Sequence, residues 1–198
     1  MKVIIYCYKT IFLIIAVLLI AKSTDAQTLA EAFEKKDTIL AAELIRKGAN
    51  PNETDKYGTT FLMTACRWDG IERAKFLLQH GAKIDSPRTS KGRTPLIIAC
   101  AYYGSKELCE LLITYGADVN AKANDGTTAL MFAAQYWKAD IVELLLTKGA
   151  NANLKSKEGK TAMDYLNMNS VDEDIKKMLS KFRIDKEATK ALLLNAQK

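Results

Sequence analysis

Apolar residues recur along most of this chain at the spacing of short amphipathic helices. In one kind of segment leucine and alanine stand three positions apart, at Leu62 and Ala65, Leu96 and Ala99, and Leu130 and Ala133. That spacing gives each segment one narrow apolar face. Each of these segments is followed by a segment of a second kind, which carries a leucine pair, at Leu77-Leu78, Leu111-Leu112 and Leu144-Leu145. The pattern predicts pairs of short helices, in which alanine lets neighbouring helices approach closely.

Glycine punctuates these segments at a nearly constant period. One series has spacings of 34, 34 and 33 residues, at Gly58, Gly92, Gly126 and Gly159. A second series ends the leucine-pair helices, at Gly48, Gly81, Gly116 and Gly149. A fixed period in this range is typical of stacked-repeat proteins. Such a stack has no central cleft, so we expect its function to lie on one long exposed face.

Each repeat also predicts its own helix start and its own turn. A threonine follows the first glycine by two positions, at Thr60, Thr94, Thr128 and Thr161. Its hydroxyl is expected to accept a hydrogen bond from an amide in the first helical turn. Residues 117–126 and their equivalents are rich in Asp, Asn, Lys and Gly. They are predicted to form a turn, here called a finger, that leads to the next unit.

The repeat unit resembles the ankyrin repeat. The segments that carry the resemblance are Gly92-Arg93-Thr94-Pro95-Leu96, Leu111-Leu112 and Gly116-Ala117-Asp118-Val119-Asn120, and residues 126–153 repeat them. The sequence departs from the family where Met63, Ile97 and Met131 replace the histidine after Thr-Pro-Leu. In the fourth unit Trp137 is expected to replace the glycine that ends the first helix.

The resemblance implies an all-α solenoid of stacked helix-turn-helix units with β-turn fingers, about five repeats including caps. The predicted boundaries are 27–55 for the N-terminal cap repeat, then 56–90, 91–123, 124–156, and 157–182 for the C-terminal cap repeat. Residues 161–166 and 172–182 supply the last helix pair. Residues 183–198 are a helical tail that either folds back on the last repeat or frays.

Residues 1–26 have the layout of a secretory signal peptide. Lys2 precedes an unbroken apolar run, Ile11–Ala21, and Ala26 is placed for cleavage before Gln27. The alternative is an uncleaved membrane anchor. Eleven helical residues span roughly 16 Å, whereas the hydrocarbon core needs about 30 Å. We therefore expect this segment to be cleaved and the protein to be exported. The sequence of the repeats resembles that of bacterial members of the family, which indicates a periplasmic location.

Charge and cysteine content change this picture little. The formal net charge is +6, and it falls to about +4 without residues 1–26. No basic block is present in the sequence, which argues against a nucleic-acid partner. Three cysteines remain in the mature chain, at Cys66, Cys100 and Cys109. We expect all three to be small buried apolar residues. The alternative is that Cys100 and Cys109, which lie on the two antiparallel helices of one repeat, form a pair.

The candidate site is a stripe of aromatic residues at the repeat period. Trp68, Tyr102 and Tyr136 occupy one position in successive repeats, and their chain neighbours complete the predicted protein-binding set, Arg67, Trp68, Tyr102, Tyr103, Gln135, Tyr136 and Trp137. Tyrosine and tryptophan dominate binding hot spots, and Trp137 is expected to be an exposed one. The alternative is that these rings pack between repeats. Finger residues are secondary candidates, at Lys56, Tyr57, Arg88, Arg93, Asn124 and Asp125.

The chain offers little chemistry for an enzyme. His80 is the only histidine, and it precedes a helix stop where a cation meets the helix dipole favourably. Neither a zinc-type spacing, nor a phosphate loop, nor a nucleophile with a base is present in the sequence. We therefore expect a monomeric, non-enzymatic scaffold for a protein partner, without cofactor or metal. The alternatives are a secreted effector acting on a host protein and a membrane-tethered subunit of a larger complex.

Overall fold

The computed structural model describes residues 28–35, 37–68, 70–85, 89–168 and 186–197. Within these ranges the chain is helical and forms no strand, which confirms the predicted all-α class. The helices are α1 (Leu29–Glu34), α2 (Thr38–Arg46), α3 (Phe61–Arg67), α4 (Ile71–Gln79), α5 (Pro95–Ala101), α6 (Lys106–Thr114), α7 (Ala129–Gln135), α8 (Ala139–Thr147), α9 (Ala162–Met168) and α10 (Lys186–Ala196).

Some predicted features lie outside the described residues. They are the signal peptide at 1–26, the helix predicted for 172–182 and the finger candidate Arg88. In the part of the chain that is described, no helix combines the length and apolar character needed to cross a membrane.

The chain divides into two compact units, residues 1–49 and residues 50–198. The first unit holds α1 and α2, which contact each other. Thr28 and Glu31 start α1 with a reciprocal capping box, and the Asp37 carboxylate accepts the Leu40 amide at the start of α2. This unit therefore has the helix pair that the sequence predicts, although it lacks the Gly-x-Thr opening.

Residues 50–198 stack their helices in two rows. In the first row α3, α5, α7 and α9 each contact the next. In the second row α4 contacts α6, and α6 contacts α8. Each repeat joins the rows, because α3 packs on α4, α5 on α6, and α7 on α8. This is the linear arrangement of nearest-neighbour helix pairs that the period predicts.

Both rows contribute small and large apolar residues to the buried interior. Ala99 and Ala133 of the first row are fully buried, and so are Leu112 and Leu145 of the second row. Burying each leucine contributes roughly 1.5–3 kcal/mol.

The positions where the family has histidine are also in the core. Met63, Ile97 and Met131 are almost entirely buried. Apolar side chains therefore fill a position where a buried polar ring would need hydrogen-bond partners.

Threonine begins the first-row helices as predicted. The hydroxyls of Thr60, Thr94 and Thr128 each accept the amide three residues later, at N···O distances of 3.2, 3.4 and 3.4 Å. Before α9 the roles are reversed, because the Thr161 amide and hydroxyl both donate to the Asp164 carboxylate at 2.7 Å. These hydrogen bonds lower the pKa of the Asp164 carboxyl. Threonine thus satisfies part of the free amide end of α3, α5 and α7.

Successive fingers are joined through their backbones. The Ser90 amide donates to the Tyr57 carbonyl at 2.8 Å, and the Asn124 amide donates to the Lys91 carbonyl at 2.9 Å. The third contact in this series runs from the Lys157 amide to the Asp125 carbonyl at 2.8 Å. The fingers therefore form a continuous row of turns rather than independent loops.

Asparagine side chains also tie one repeat to the next. The Asn52 amide nitrogen donates to the Gly81 carbonyl at 3.0 Å, while its oxygen accepts the Lys83 amide at 2.7 Å. Asn120 makes the same two hydrogen bonds: its amide nitrogen donates to the Gly149 carbonyl at 3.0 Å, and its oxygen accepts the Asn151 amide at 2.8 Å. The carboxamide suits this position because it carries a donor and an acceptor side by side.

Asp85 occupies the same position in the intervening repeat and makes only half of this link. One carboxylate oxygen accepts the Asp118 amide at 2.9 Å. The other oxygen is buried and has no hydrogen-bond partner among the described residues. A carboxylate has no proton to donate, so it cannot make the bond that the asparagines make to a glycine carbonyl.

The C-terminal tail folds back on the end of the stack. Helix α10 contacts both α8 and α9, so it extends the second row beyond α8. Thr189 and Leu193 of α10 are fully buried. Of the two alternatives for this tail, the structure favours folding back.

Replacing Asp85 with asparagine should stabilise the protein. Asp85→Asn is expected to supply the missing donor and to raise the free energy of unfolding by about 1 kcal/mol, the net contribution of one hydrogen bond. Urea unfolding followed by circular dichroism measures the change. The matched control is Asn52→Asp, which should lower stability by a similar amount. An Asp85→Asn variant no more stable than wild type would contradict this account of the inter-repeat link.

Candidate functional site

The predicted site residues lie where the first-row helices end. Arg67 is the last residue of α3, and Trp68 follows it as the C-cap. Tyr102 and Tyr136 are the C-caps of α5 and α7. The repeat therefore places these side chains at equivalent points along the stack, as the sequence alignment of the units predicts.

Two of the rings stack on each other across neighbouring repeats. The Trp68 and Tyr103 ring centroids are 5.6 Å apart, and the ring planes differ by 11°. Both rings face solvent, with 60% of Trp68 and 70% of Tyr103 exposed. The two repeats are also linked through the backbone next to these rings, because the Tyr103 amide donates to the Arg67 carbonyl at 3.4 Å. The pair is an exposed aromatic platform, and its stacking contributes roughly 0.5–1.5 kcal/mol beyond the buried area.

A cation–π contact lies beside this platform. The Arg67 guanidinium carbon is 4.5 Å from the centroid of the Tyr102 ring. The same guanidinium donates a hydrogen bond to the Tyr102 hydroxyl at 3.3 Å. Arg67 is exposed and Tyr102 is half-buried, so the contact holds a charged group in place at the surface.

The rings that contact each other are not the rings that the alignment of the repeats places at equivalent positions. Trp68 and Tyr102 occupy equivalent positions, yet Trp68 stacks on Tyr103. The reason lies in the backbone after α5, where Tyr102 has a ψ of −134° while Trp68 and Tyr136 have ψ values of 20° and 10°. The turn between α5 and α6 therefore has its own conformation, which brings Tyr103 to Trp68 and Tyr102 to Arg67.

Lys138 supports this turn from the following repeat. Its ammonium group lies at the C-terminal end of α5 and donates to the Tyr102 carbonyl, with the Ala99 and Gly104 carbonyls each at 3.5 Å. A cation is favourable there because free carbonyls and the negative end of the helix dipole meet at this point. The side chain of one repeat therefore stabilises the helix end of the repeat before it.

Lys138 is also the residue that takes the place of the family's glycine. The amides of Gly70, Gly104 and Lys138 make equivalent bonds, each to the carbonyl five residues earlier, at 2.8, 3.2 and 3.0 Å. The expectation that Trp137 replaces this glycine is therefore wrong by one position. That change from glycine to lysine was the signal in the sequence that could have identified Lys138.

Gly104 completes the turn through close backbone contact. A Cβ atom at this position would lie 2.6 Å from the Ala99 carbonyl oxygen, which is too close for any side chain. Gly104 and Lys138 therefore shape the loop that presents Tyr102 and Tyr103.

Tyr136 and Gln135 continue the site on the next repeat. Tyr136 is 43% exposed, whereas Gln135 is half-buried. We call Arg67, Trp68, Tyr102, Tyr103 and Tyr136 the aromatic surface.

Trp137 does not belong to the aromatic surface, and the prediction that it is exposed is wrong. Only 3% of Trp137 is exposed, and its indole N–H donates to the Leu166 carbonyl at 3.2 Å. The Lys186 ammonium lies 5.4 Å from the Trp137 ring centroid. The alternative, in which an aromatic residue packs between repeats, holds for this position. Trp137 anchors α9 and α10 to the fourth repeat.

The backbone of Trp137 has a conformation that favours glycine. Its φ is 56°, a positive value that no other non-glycine residue has in the described part of the chain. For a residue other than glycine, this left-handed backbone conformation costs roughly 1–2 kcal/mol. Burial of the indole and its hydrogen bond offset that cost.

One finger adds a further exposed ring. Tyr57 is exposed, and the Lys56 ammonium lies 5.0 Å from its ring centroid. The turn is held by Asp55, whose carboxylate accepts the Tyr57 and Thr59 amides, both at 2.8 Å. These hydrogen bonds, from Thr59 above all, lower the pKa of the Asp55 carboxyl. The carboxylate therefore holds the turn at neutral pH, and this contribution is lost as the pH falls through the folded-state pKa.

The remaining described finger candidates hold the fingers together. The Asn124 side chain donates to the Ser90 carbonyl at 2.9 Å, and the Asp125 carboxylate accepts the Thr127 amide at 2.9 Å. The Arg93 guanidinium carbon lies 4.7 Å from the centroid of the Phe132 ring. Asn124 and Asp125 therefore have structural roles within the row of fingers, whereas Arg93 connects its finger to helix α7.

The single histidine, His80, has contacts that indicate a structural role. His80 follows the end of α4, where its ring nitrogen lies 2.8 Å from the Phe76 carbonyl and its ring stacks on Phe76. Among the described residues, no group of three or more His, Cys, Asp or Glu side chains is arranged to hold a metal ion. The aromatic surface combines one stacked pair of rings with a guanidinium held on a third ring, an arrangement that is suited to binding.

The role of Trp137 can be tested by substitution. Trp137→Ala is expected to lower the free energy of unfolding by about 3–5 kcal/mol, because it removes a buried indole and leaves the positive φ. Trp137→Gly should lose roughly 1 kcal/mol less, since glycine adopts that φ without strain. Urea unfolding followed by circular dichroism gives the values.

Trp68→Ala is the matched control. The chain has two tryptophans, so each alanine variant keeps only one. Trp68→Ala should stay within about 1 kcal/mol of wild type and show the blue-shifted fluorescence of a buried indole. Equal losses of stability in the two alanine variants would show that Trp137 is not an anchor.

Comparison with known proteins identifies the repeats. The family described as "Ankyrin repeats (3 copies)" matches residues 29–123 and 101–190, which together cover most of the chain. A glycerophosphocholine phosphodiesterase, gde1, from Schizosaccharomyces pombe is 37% identical over 92 residues, covering 46% of this chain and 8% of its own length. An ankyrin repeat and KH domain-containing protein, mask-1, from Caenorhabditis elegans is 34% identical over 107 residues, covering 54% of this chain and 4% of its own.

A third relative is an ankyrin repeat, SAM and basic leucine zipper domain-containing protein from Rhinolophus ferrumequinum. It is 32% identical over 111 residues, covering 54% of this chain and 23% of its own length. The chain thus spans less than a quarter of each of these relatives. With the stacked helix pairs and the family match over most of its length, the chain belongs to the ankyrin-repeat family.

Proposed function

We propose that the chain is a non-enzymatic scaffold that binds a protein partner through the aromatic surface. Ankyrin repeats generally mediate protein–protein interaction, and the family is typically non-enzymatic. The observation that carries the proposal is the Trp68–Tyr103 stack, in which two large rings contact each other while most of their area faces solvent.

The geometry favours binding because the rings already contact each other in the chain without a partner. Fixing a mobile side chain on binding costs about 0.5–1.5 kcal/mol. Here the stack fixes Trp68 and Tyr103, and the guanidinium contact fixes Arg67 on Tyr102. Lys138 holds the turn beneath them. The binding energy of these residues is therefore available for the partner.

The composition of the aromatic surface also fits a protein partner. Tryptophan, tyrosine and arginine are the residues most enriched among binding hot spots, where truncation of one costs about 2 kcal/mol or more. Arg67 supplies a charge at the edge of the rings, which orients a partner and raises its association rate.

The location that accompanies this proposal is the bacterial periplasm. Its support is the order of Lys2, the apolar run Ile11–Ala21 and Ala26, which lies outside the described residues. A secreted effector would use the same surface on a host protein. A membrane-tethered subunit would retain residues 1–21.

The binding surface is tested by capture from the native compartment. Wild-type protein as bait is expected to retain a partner that the Trp68→Ala/Tyr103→Ala variant loses, with a dissociation constant at least about 30-fold weaker, the equivalent of one hot spot. Tyr115→Ala is the matched control, because Tyr115 is an exposed tyrosine after the second-row helix α6. Equal binding by the double variant and wild type would contradict the proposal.

Export is tested by mass spectrometry of the purified protein, which identifies its N-terminal residue. A chain that begins at Gln27 supports cleavage, and a chain that begins at Met1 supports the membrane-tethered alternative. Fractionation then separates periplasm from culture medium, and recovery in the medium alone would favour the secreted effector.

A further inference from the structure

A pair of buried thiols lies between the two helices of one repeat. Cys100 is on α5 and Cys109 is on α6, and both side chains are fully buried. Their sulfur atoms are 3.9 Å apart, at the distance of a thiol–thiol hydrogen bond. The sequence left two alternatives for these residues, pairing or simple apolar filling, and the sulfur–sulfur contact favours pairing.

We propose that Cys100 and Cys109 are a modification site, which closes into a disulfide within the repeat when the protein folds in the presence of a low-molecular-weight disulfide. In the reduced chain the two residues are free cysteines. A disulfide has a sulfur–sulfur distance of about 2.05 Å, so the sulfurs must approach by roughly 2 Å. Small side-chain rotations supply this movement, because each thiol already faces the other.

The position of the pair suits a cross-link. The antiparallel helices α5 and α6 are joined by a short turn, and that turn is held by Lys138 and Gly104. A bond from Cys100 to Cys109 would connect the two rows of the stack beneath the aromatic surface. It would also close a short loop, which reduces the conformational freedom of the unfolded chain.

The oxidation balances as thiol–disulfide exchange. One cysteine thiolate attacks the small disulfide, forms a mixed disulfide with it and releases one small thiolate. The second cysteine thiolate then attacks the protein sulfur of the mixed disulfide and releases the other small thiolate. Two protein thiols are thereby oxidised to one disulfide, and one small disulfide is reduced to two thiols, which take up the two protons.

The reaction belongs to the folding chain or to a locally opened repeat. The hydrogen bond with Cys100 and the burial of the side chain raise the pKa of the Cys109 thiol. The Cys109 thiolate is therefore scarce in the closed structure, and a small disulfide has no access to either fully buried sulfur. Once formed, the disulfide is protected from reductants by the same burial.

Cys66 is expected to stay outside this cross-link. It occupies on α3 the position that Cys100 occupies on α5, and stacked helices lie about 8–10 Å apart. A disulfide needs Cα atoms within about 7 Å. Cys66→Ala is therefore a matched control that removes one buried thiol and leaves the proposed pair intact.

Peptide mapping tests the connectivity. The full-length chain is refolded once in mixed oxidised and reduced glutathione and once in dithiothreitol, then alkylated in denaturant and digested with trypsin. After glutathione refolding, peptides 94–106 and 107–122 should be recovered joined, two hydrogens lighter than their sum, while peptide 57–67 is alkylated. Recovery of Cys100 and Cys109 as separate alkylated peptides would overturn the proposal, and so would a cross-link that includes Cys66.

Thermal unfolding provides a second readout. Glutathione refolding should raise the midpoint of wild type and Cys66→Ala by about 5–10 °C over the reduced proteins, as expected for closing a short loop. Cys109→Ala should show no such rise. The same rise in Cys109→Ala would overturn the proposal. These measurements use no binding partner, so their outcome is separate from that of the proposed function.

Discussion

Every repeat in residues 50–198 relies on close packing between neighbouring first-row helices. Ala99 and Ala133 of these helices are fully buried, and a larger side chain at either position would have to displace its packed neighbours. A single helix pair cannot bury its own apolar faces, so each repeat is stable only against the next one. The threonine caps, the row of fingers and the asparagine links all recur at the same period because this packing recurs.

The packing also determines where binding side chains can lie. The helices α3, α5 and α7 end at the same edge of the stack, so their C-cap residues and neighbours come together there. What each side chain does at that edge is decided by the turn that follows. The turn after α5 brings Tyr103 onto Trp68, whereas the turn after α7 directs Trp137 inward to Leu166. Neighbouring repeats thus use equivalent positions for a surface and for an anchor.

Some positions that are equivalent in successive repeats carry different residues, and these positions show how single side chains change the contacts between or within repeats. Asp85 occupies the position of the asparagines, and one of its oxygens has no hydrogen-bond partner in the described part of the chain. Lys138 stands where the preceding repeats have glycine, and it caps the carbonyls of α5. Cys100 faces Cys109, the fourth residue of α6, and the fourth residue of α4 is Ala74. In each case a change of one side chain alters a contact that the repeat otherwise makes in the same way.

Spacing along the chain was enough to predict the repeat, the helix pairs, the threonine caps and the fingers, because these depend on a few neighbouring residues and on local hydrogen bonds. The same spacing placed Arg67, Trp68, Tyr102 and Tyr136 at one edge, since the period carries each position to the next unit. Three features became visible only in the folded chain: which rings face solvent, the packing of α10 on α8 and α9, and the meeting of two sulfurs. They depend on backbone conformation in single turns and on contacts between distant segments. The repeat period contains no information about either.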